Sequence, residues 1–439
     1  MAHFVRLSLL RRFVSVTRQY GLAEALNRSR YFAGLYLRGS APSLFGRQAP
    51  AAFAPDTSLT PERQMQTIWS ELARGEGFHA HINQKMSPRI ALIGDLNLSQ
   101  CRKYRVEQLQ VLWRSQNVEF DFAHYEDTPR ALRLLQRATH YCEYRLEDTP
   151  LTQMYRYEAR RLGLPILFDI DDPLFSVAAY ETYQNMANLD PMLKTHFLTV
   201  APRYAAMMNG ADIVTVSTPG LADLARLYTP RPVYVRRNFA DPETLQNGAA
   251  AIAARGPADG LFRVVFASGS QGHEADFDLI KTDVAAFVTA DPTRRLTILG
   301  HFQTDKLPAS LMKQTEHHPF LSYDAYLANL ARADVAVMPL QDDLFNRCKS
   351  GVRVIDSAAV GLASIVSAVG DLPTMVDHGR TGFIASAPSD WRLALEALAN
   401  DKARARDMGN AARETLETRW CAQAAPHIIA PALLDWVNP

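Results

Sequence analysis

The residues most able to do chemistry cluster in PLQDDLFNRCKSGVRVIDSAAVGLASIVSAVGDLP, residues 339–373. This stretch reads as a buried strand, a polar loop, a helix and a second strand. Lys349 and Ser350 fall where the loop enters the helix. A helix start offers unpaired N–H groups and the positive end of the helix dipole, so a Lys/Ser pair there suits a phosphate. Asp356, six residues beyond Ser350, can accept hydrogen bonds from sugar hydroxyls. The same residues also fit a plain N-cap, a solvated lysine and a surface acid. A second segment, FASGSQGHEADF (266–277), takes a strand through a Gly/Ser turn into a helix. There the N–H groups of Gly269 and Ser270 can face an anion, and His273 can donate to a phosphate or hydroxyl. The dinucleotide fingerprint GxGxxG is absent.

A third constellation is DIDD, residues 169–172, at the end of an apolar run. Such carboxylates could bind a metal–nucleotide. On the acceptor side of a cleft, Asp171 or Asp172 could instead orient or deprotonate a hydroxyl. Asp172-Pro173 also has the form of a helix N-cap with proline at the first helical position. Arg102, Lys103 and Arg105 follow the first apolar strand and could meet an anionic acceptor such as a lipid-linked diphosphate.

The elements that must position these residues alternate regularly. Strand-like RIALIGD (89–95), VEFDFAHY (118–125), HYCEYRL (140–146), LPILFDIDD (164–172), DIVTVST (212–218) and VYVRRN (233–238) are separated by helical stretches. Residues 241–260, rich in Ala, Gly and Pro, read as a flexible interdomain linker. The alternation then restarts at FRVVFASG (262–269) and continues to about residue 418. Apolar strands alternating with helices predict parallel sheets covered on both faces. The expected organisation is a basic helical extension with linker over 1–87, α/β domains over 88–240 and 261–420, the linker 241–260, and a tail over 421–439. The ligand cleft falls between the carboxyl ends of the two sheets.

Composition narrows the function classes. The 439 residues carry a formal charge of +1, with 47% hydrophobic residues, which excludes a mainly disordered chain. The charge is uneven: residues 1–50 hold eight Arg and one acid, a balance of +7, leaving −6 for the rest. Positive charge confined to one segment, without evident stacking aromatics, argues against nucleic acid as a partner. With Leu7, Leu10, Phe13 and Val14 at helical spacing, residues 1–47 suit an anionic membrane surface or a helix packed on the domain. The four scattered cysteines suit a reducing, cytoplasmic setting, and the basic segment allows a peripheral place at the inner face of the cell membrane. No apolar run is long enough for a membrane span.

Over roughly residues 88–420 the chain resembles GT-B glycosyltransferases related to the retaining family-4 group, the glycosyl transferases group 1. The resemblance rests on GSxxH at Gly269–His273, ADVAVMPLxDDxFNxxKS at Ala333–Ser350, and GLASIVSAVG followed by VDHGRTGFI. In the first half it rests on CRKYRVEQ, LFDIDDPLF and ADIVTVSTPGLADL. It implies two Rossmann-like domains and transfer of a sugar from a nucleotide diphosphate-sugar to an acceptor hydroxyl, with no metal and no other cofactor. The donor would lie against Gly269, Ser270, His273, Asn346, Lys349, Ser350 and Asp356. Glycan or lipid-linked acceptors of bacterial surface polysaccharide assembly are the expected partners. The two Glu that such enzymes carry with seven residues between them are here Cys348 and Asp356, so the usual acid at the donor sugar is missing. A sugar-nucleotide epimerase and a non-catalytic nucleotide- or glycan-binding scaffold are the competing readings.

Overall fold

The structure is a computed structural model. It describes residues 87–438 except 258, 270–272 and 424, together with residues 13, 14, 17, 22, 26, 29 and 63; side chains 99, 100, 187 and 188 are also excluded. Between residues 48 and 86, where the linker of the expected 1–87 segment falls, only residue 63 is among the described residues. Most of the basic extension also lies outside them; its six described positions are helical.

Two six-stranded parallel sheets form the body, as two Rossmann-like domains require. The first holds β1 Arg89–Gly94, β2 Glu119–His124, β3 His140–Tyr144, β4 Ile166–Ile170, β5 Ile213–Val216 and β6 Val233–Val235, in the order β2-β1-β3-β4-β5-β6. The second holds β7 Phe262–Gly269, β8 Arg294–Gly300, β9 Thr315–His318, β10 Val335–Met338, β11 Ser364–Ser367 and β12 Gly382–Ala385, in the order β12-β11-β10-β7-β8-β9. β4, β5 and β10 are buried throughout, which is why they read as near-continuous apolar runs. The strand order reverses beside β1 and beside β7, and these switch points open crevices at the strands' carboxyl ends.

The helical stretch after β1 contains a π-helical turn, Lys103–Glu107, in which Lys103, Tyr104, Arg105 and Val106 are all buried. A regular helix facing solvent on one side cannot bury four successive residues. Here the turn is wedged between the domains: Arg105 points into the first and Tyr104 reaches the second. Arg105 is fully buried, its Nη2 donating to both Asp169 oxygens at 2.8 and 2.9 Å and its Nη1 to the Arg236 carbonyl and Asn238 Oδ1 at 2.8 and 3.1 Å. Arg236 Nη2 donates to Asp169 at 2.7 Å, and the Thr215 hydroxyl at 2.8 Å. Burial favours protonating Asp169, but the two guanidiniums outweigh it and hold the carboxyl below its ordinary range.

Two boundary expectations are corrected. The stretch 241–260 is no flexible linker: Pro242–Ala253 is a helix capped by Asp241, whose side chain accepts from the Thr244 N–H at 2.8 Å. It lies so close to the helix Val352–Ala359 that a Cβ at Gly248 would sit 2.2 Å from the Ala359 carbonyl oxygen. Nor do residues 421–439 trail away. The chain returns to the first domain through Arg237 N to Ile428 O at 2.7 Å and Ala430 N to Val235 O at 3.1 Å, and ends in the helix Pro431–Val437. β9 (TEHH) escaped the sequence reading because, as a half-exposed edge strand, it carries no apolar alternation.

Replacing Arg105 with Met leaves Asp169 short of its main partner and strips hydrogen bonds from Asn238 and the Arg236 carbonyl. A loss of about 3–5 kcal/mol in urea unfolding, with unchanged slope, is expected. A variant within about 0.5 kcal/mol of wild type would show the cluster to be dispensable.

Candidate active site

The second domain supplies the cationic wall of the cleft. The loop after β10 turns through a short helix, Asn346–Cys348, before the helix Val352–Ala359. Lys349 emerges between them with extended backbone, and its Nζ donates to the Tyr183 hydroxyl of the first domain at 2.8 Å. It also lies 4.8 Å from the Tyr183 ring centroid. Burial opposes its charge, but Tyr183, Asp276 and Asp172 outweigh it and keep the ammonium above its ordinary range. Ser350 does not cap the helix; its oxygen accepts from Asn238 Nδ2 across the domain boundary at 2.9 Å.

Facing this loop is the turn after β7, where Gly269 has φ +65°, a conformation that favours glycine. Ser270 lies outside the described residues. His273 Nδ1 sits 3.1 Å from Asp276 Oδ2. Burial, then the nearby Lys349 charge, lower the imidazole to about 4, so it is neutral at pH 7 and points its Nδ1–H at Asp276. Asp276 is fully buried and also accepts from the Gln341 N–H at 3.0 Å, Asn346 Nδ2 at 3.2 Å and Asn185 Nδ2 at 2.8 Å. It orients the histidine and ties three segments together.

The first domain supplies an acidic wall. Arg145, one residue past β3, has φ +49°, unusual for a side chain of this size. Its guanidinium bonds both Asp171 and Asp172, and Tyr144 adds a hydroxyl 3.3 Å from Asp171. The side chain of Asp171 is 11% exposed and that of Asp172 30%. Burial, then Asp171, raise the Asp172 pKa, while Arg145 and Lys349 pull it down; the net direction is up. Leu174 N donates to the Asp172 carbonyl, and the following helix, Val177–Thr182, is capped by Ser176, so the N-cap reading of Asp172 is corrected. Asp169 faces Arg105 and Arg236 instead, so the three acids do not converge. Among the described residues no group of three or more His, Cys, Asp or Glu is placed to hold a metal ion.

Several expected contacts are corrected by geometry. Arg105 is spent on Asp169 and cannot reach an acceptor. Lys103 is buried, 3.1 Å from Glu243 and 4.4 Å from the Tyr323 ring centroid, pinning the interdomain helix. Of the three basic residues only Arg102 stays half-exposed, and its Nε donates to Glu107 at 2.7 Å. Asn346 is fully buried with both amide hydrogens committed to Asp276 and Asp343, so it shapes the loop from behind. Asp356, expected at a sugar hydroxyl, accepts from Tyr104 of the first domain and from Tyr323 at 2.8 Å. It is a latch between domains in this conformation. Cys348, in the place of the missing Glu, has its thiol pushed up to about 12 by burial and supplies no charge.

Sequence reasoning missed Arg145, Asp276 and Tyr183. Arg145 stood just past a strand's carboxyl end, and that signal was legible. Asp276 and Tyr183 matter only through contacts with segments distant in sequence.

Comparison with known proteins agrees with this architecture. Residues 262–401 match the family described as Glycosyl transferases group 1. The chain is 27% identical over 292 residues to a D-inositol 3-phosphate glycosyltransferase of Corynebacterium aurimucosum, covering 64% of this chain and 60% of that protein. A protein of the same name from Pseudarthrobacter chlorophenolicus is 31% identical over 166 residues, covering 35% of this chain and 38% of the relative. The sucrose-phosphate synthase of Thermosynechococcus elongatus superposes with a TM-score of 0.51 at 16% identity, over 76% of this chain and 95% of the synthase. The two sheets and the cleft between them are a GT-B fold.

Burial raises Asp356 from 3.8 to about 6, against the Tyr104 and Tyr323 hydrogen bonds. Between those pH values the native chain keeps a proton that the unfolded chain has released. Its contribution to stability therefore falls as pH rises through the window and is flat above it. Relative to Asp356→Asn, wild-type unfolding free energy should drop by up to about 3 kcal/mol from pH 4 to 6. A difference constant across that range would contradict the assignment.

Proposed function

We propose, from the match of residues 262–401 to the family described as Glycosyl transferases group 1 and from the geometry of the cleft, that this protein is a glycosyltransferase using a nucleotide diphosphate-sugar donor. The observation that carries the reading is Lys349, a permanent ammonium at the head of a loop beside the β7 switch point, facing Asp172 across the domain boundary. In the proposed reaction the bond from the sugar's anomeric carbon to the diphosphate oxygen breaks with its electrons retained by the diphosphate. Lys349 stabilises that growing charge. The acceptor oxygen bonds to the anomeric carbon, and its proton passes to a carboxylate. Asp172 suits the last role better than Asp171, because it is more exposed and its pKa is raised toward the working pH. Nucleotide diphosphate and the glycosylated acceptor leave; no redox chemistry and no metal are required by this scheme.

The acceptor we propose is a glycan, a polyol or a lipid-linked sugar presenting its hydroxyl near Arg145, Asp171 and Asp172. The named relatives act on an inositol phosphate, which supports a polyol-like acceptor. No helix among the described residues is long and apolar enough to cross a membrane. The +7 segment, with Val14, Leu22 and Leu26 exposed, supports seating at an anionic membrane surface in surface-glycan assembly. The match of residues 262–401 to glycosyl transferases group 1 and the names of the relatives support transfer over the epimerase reading.

Incubation with nucleotide diphosphate-sugars and a pool of glycan, polyol and lipid-linked acceptors should release nucleotide diphosphate, and none released would end the transferase reading. Asp172→Asn should lower turnover about 100-fold or more with donor affinity unchanged; wild-type turnover would remove Asp172 from the chemistry. Removing residues 1–47 should free the protein from anionic vesicles, and equal sedimentation of both forms would end the surface-seating proposal.

A further inference from the structure

Arg145 stands one residue past β3 with φ +49°, a backbone conformation that suits glycine and costs a long side chain free energy. Its N–H donates to the Asp169 carbonyl at 3.1 Å, continuing the β3–β4 ladder, and its guanidinium lies over the Tyr144 ring, 5.9 Å from the centroid. That guanidinium, 9% exposed, gives Nε to Asp171 and Nη2 to Asp172. The two acids are not held alike. Asp171 has in addition the Tyr144 hydroxyl at 3.3 Å, and its backbone carbonyl accepts from the Ser217 hydroxyl at 2.8 Å. Among the described residues the Asp172 carboxylate has only Nη2, and it is the more exposed of the pair. One cation thus serves two carboxylates, which leaves a negative charge uncompensated on the first domain's wall.

Thiols and phenols close to the pair are neutral at pH 7. Burial pushes Cys101 and Cys348 up to about 12 and holds Tyr144, Tyr180 and Tyr204 above their ordinary range. The charges bearing on Asp172 are Arg145 and Lys349, which favour its carboxylate, and Asp171, which opposes it.

We infer that Arg145 is the positioning residue of the acceptor-side acids: its fork clamps Asp171 against Tyr144 and presents Asp172 to the acceptor hydroxyl. This rests on the transfer reading above, in which the hydroxyl's proton passes to Asp172 as its oxygen bonds to the anomeric carbon. A strained backbone persists where the bonds around it over-determine it, and here the bonds are those of the side chain to both acids. The fork, and not the order of the acids in the chain, decides which of them meets the acceptor. The same cation balances Asp171 and so sets how readily Asp172 gives up or takes a proton.

The ionisation of Asp172 can be read without a substrate, by NMR titration of protein isotope-labelled at its aspartate carboxyl carbons, with the resonance assigned by its loss in Asp172→Asn. Asp171→Asn removes the opposing charge and should move the Asp172 midpoint down; Arg145→Met removes the favouring one and should move it up, each by about 1–3 in pH. The double variant removes one charge of each sign and should return toward wild type. Arg145→Lys keeps the charge and loses the fork. Its midpoint should stay near wild type, while kcat for the transfer found above falls about 10-fold or more with the donor KM unchanged. A midpoint indifferent to both single variants would overturn the inference, as would a double variant no closer to wild type than Arg145→Met, or wild-type kcat in Arg145→Lys. Wild-type turnover in Asp172→Asn would overturn the base reading on which it rests.

Discussion

The structure depends on one buried carboxylate. Asp169 stands next to last in a fully buried strand and would be prohibitively costly there alone; two arginines and a threonine make it tolerable. In satisfying it, Arg105 fixes the π-helical turn after β1, Arg236 fixes the exit of β6, and Asn238 is drawn into the same network. Asn238 then donates to Ser350, beside Lys349. A short chain of hydrogen bonds therefore runs from the core of the first domain to the cationic loop of the second.

That coupling gives the cleft its electrical character. The first domain presents Asp171 and Asp172, gripped by a single arginine whose own backbone is strained; the second presents Lys349 and a neutral His273. Opposite charges face one another over a boundary held by neutral hydrogen bonds such as Thr218 to the Cys348 carbonyl at 2.8 Å, by Tyr104 on Asp356, and by ion pairs such as Arg237 with Asp371 at 2.8 and 3.0 Å. A glycosyl transfer needs this polarity: cations where a diphosphate departs and a carboxylate where a hydroxyl loses its proton. Gly220 shows how tightly the boundary is set, since a Cβ there would come within 2.4 Å of the Arg347 carbonyl oxygen.

The two parallel sheets were legible because buried strands carry apolar runs, and the second restart of alternation located the second domain. Lys349 was legible because a basic residue at a loop-to-helix junction has a direct electrostatic meaning. What sequence could not show was direction. Lys103, Arg105 and Asn346 have the right types in the right loops, yet the π-turn and the buried Asp276 turn their side chains inward. The helical nature of 242–253 was hidden by its Ala/Gly/Pro composition, although Asp241-Pro242 is an ordinary helix start. The returning C-terminal segment is fixed by long-range backbone pairing that no local pattern encodes.

The most direct test of the account is a crystal structure with a bound nucleoside diphosphate. The account predicts phosphate oxygens within hydrogen-bonding distance, about 3 Å, of Lys349 Nζ, beside His273. A diphosphate seated instead on Asp171 and Asp172 through a metal ion would contradict it.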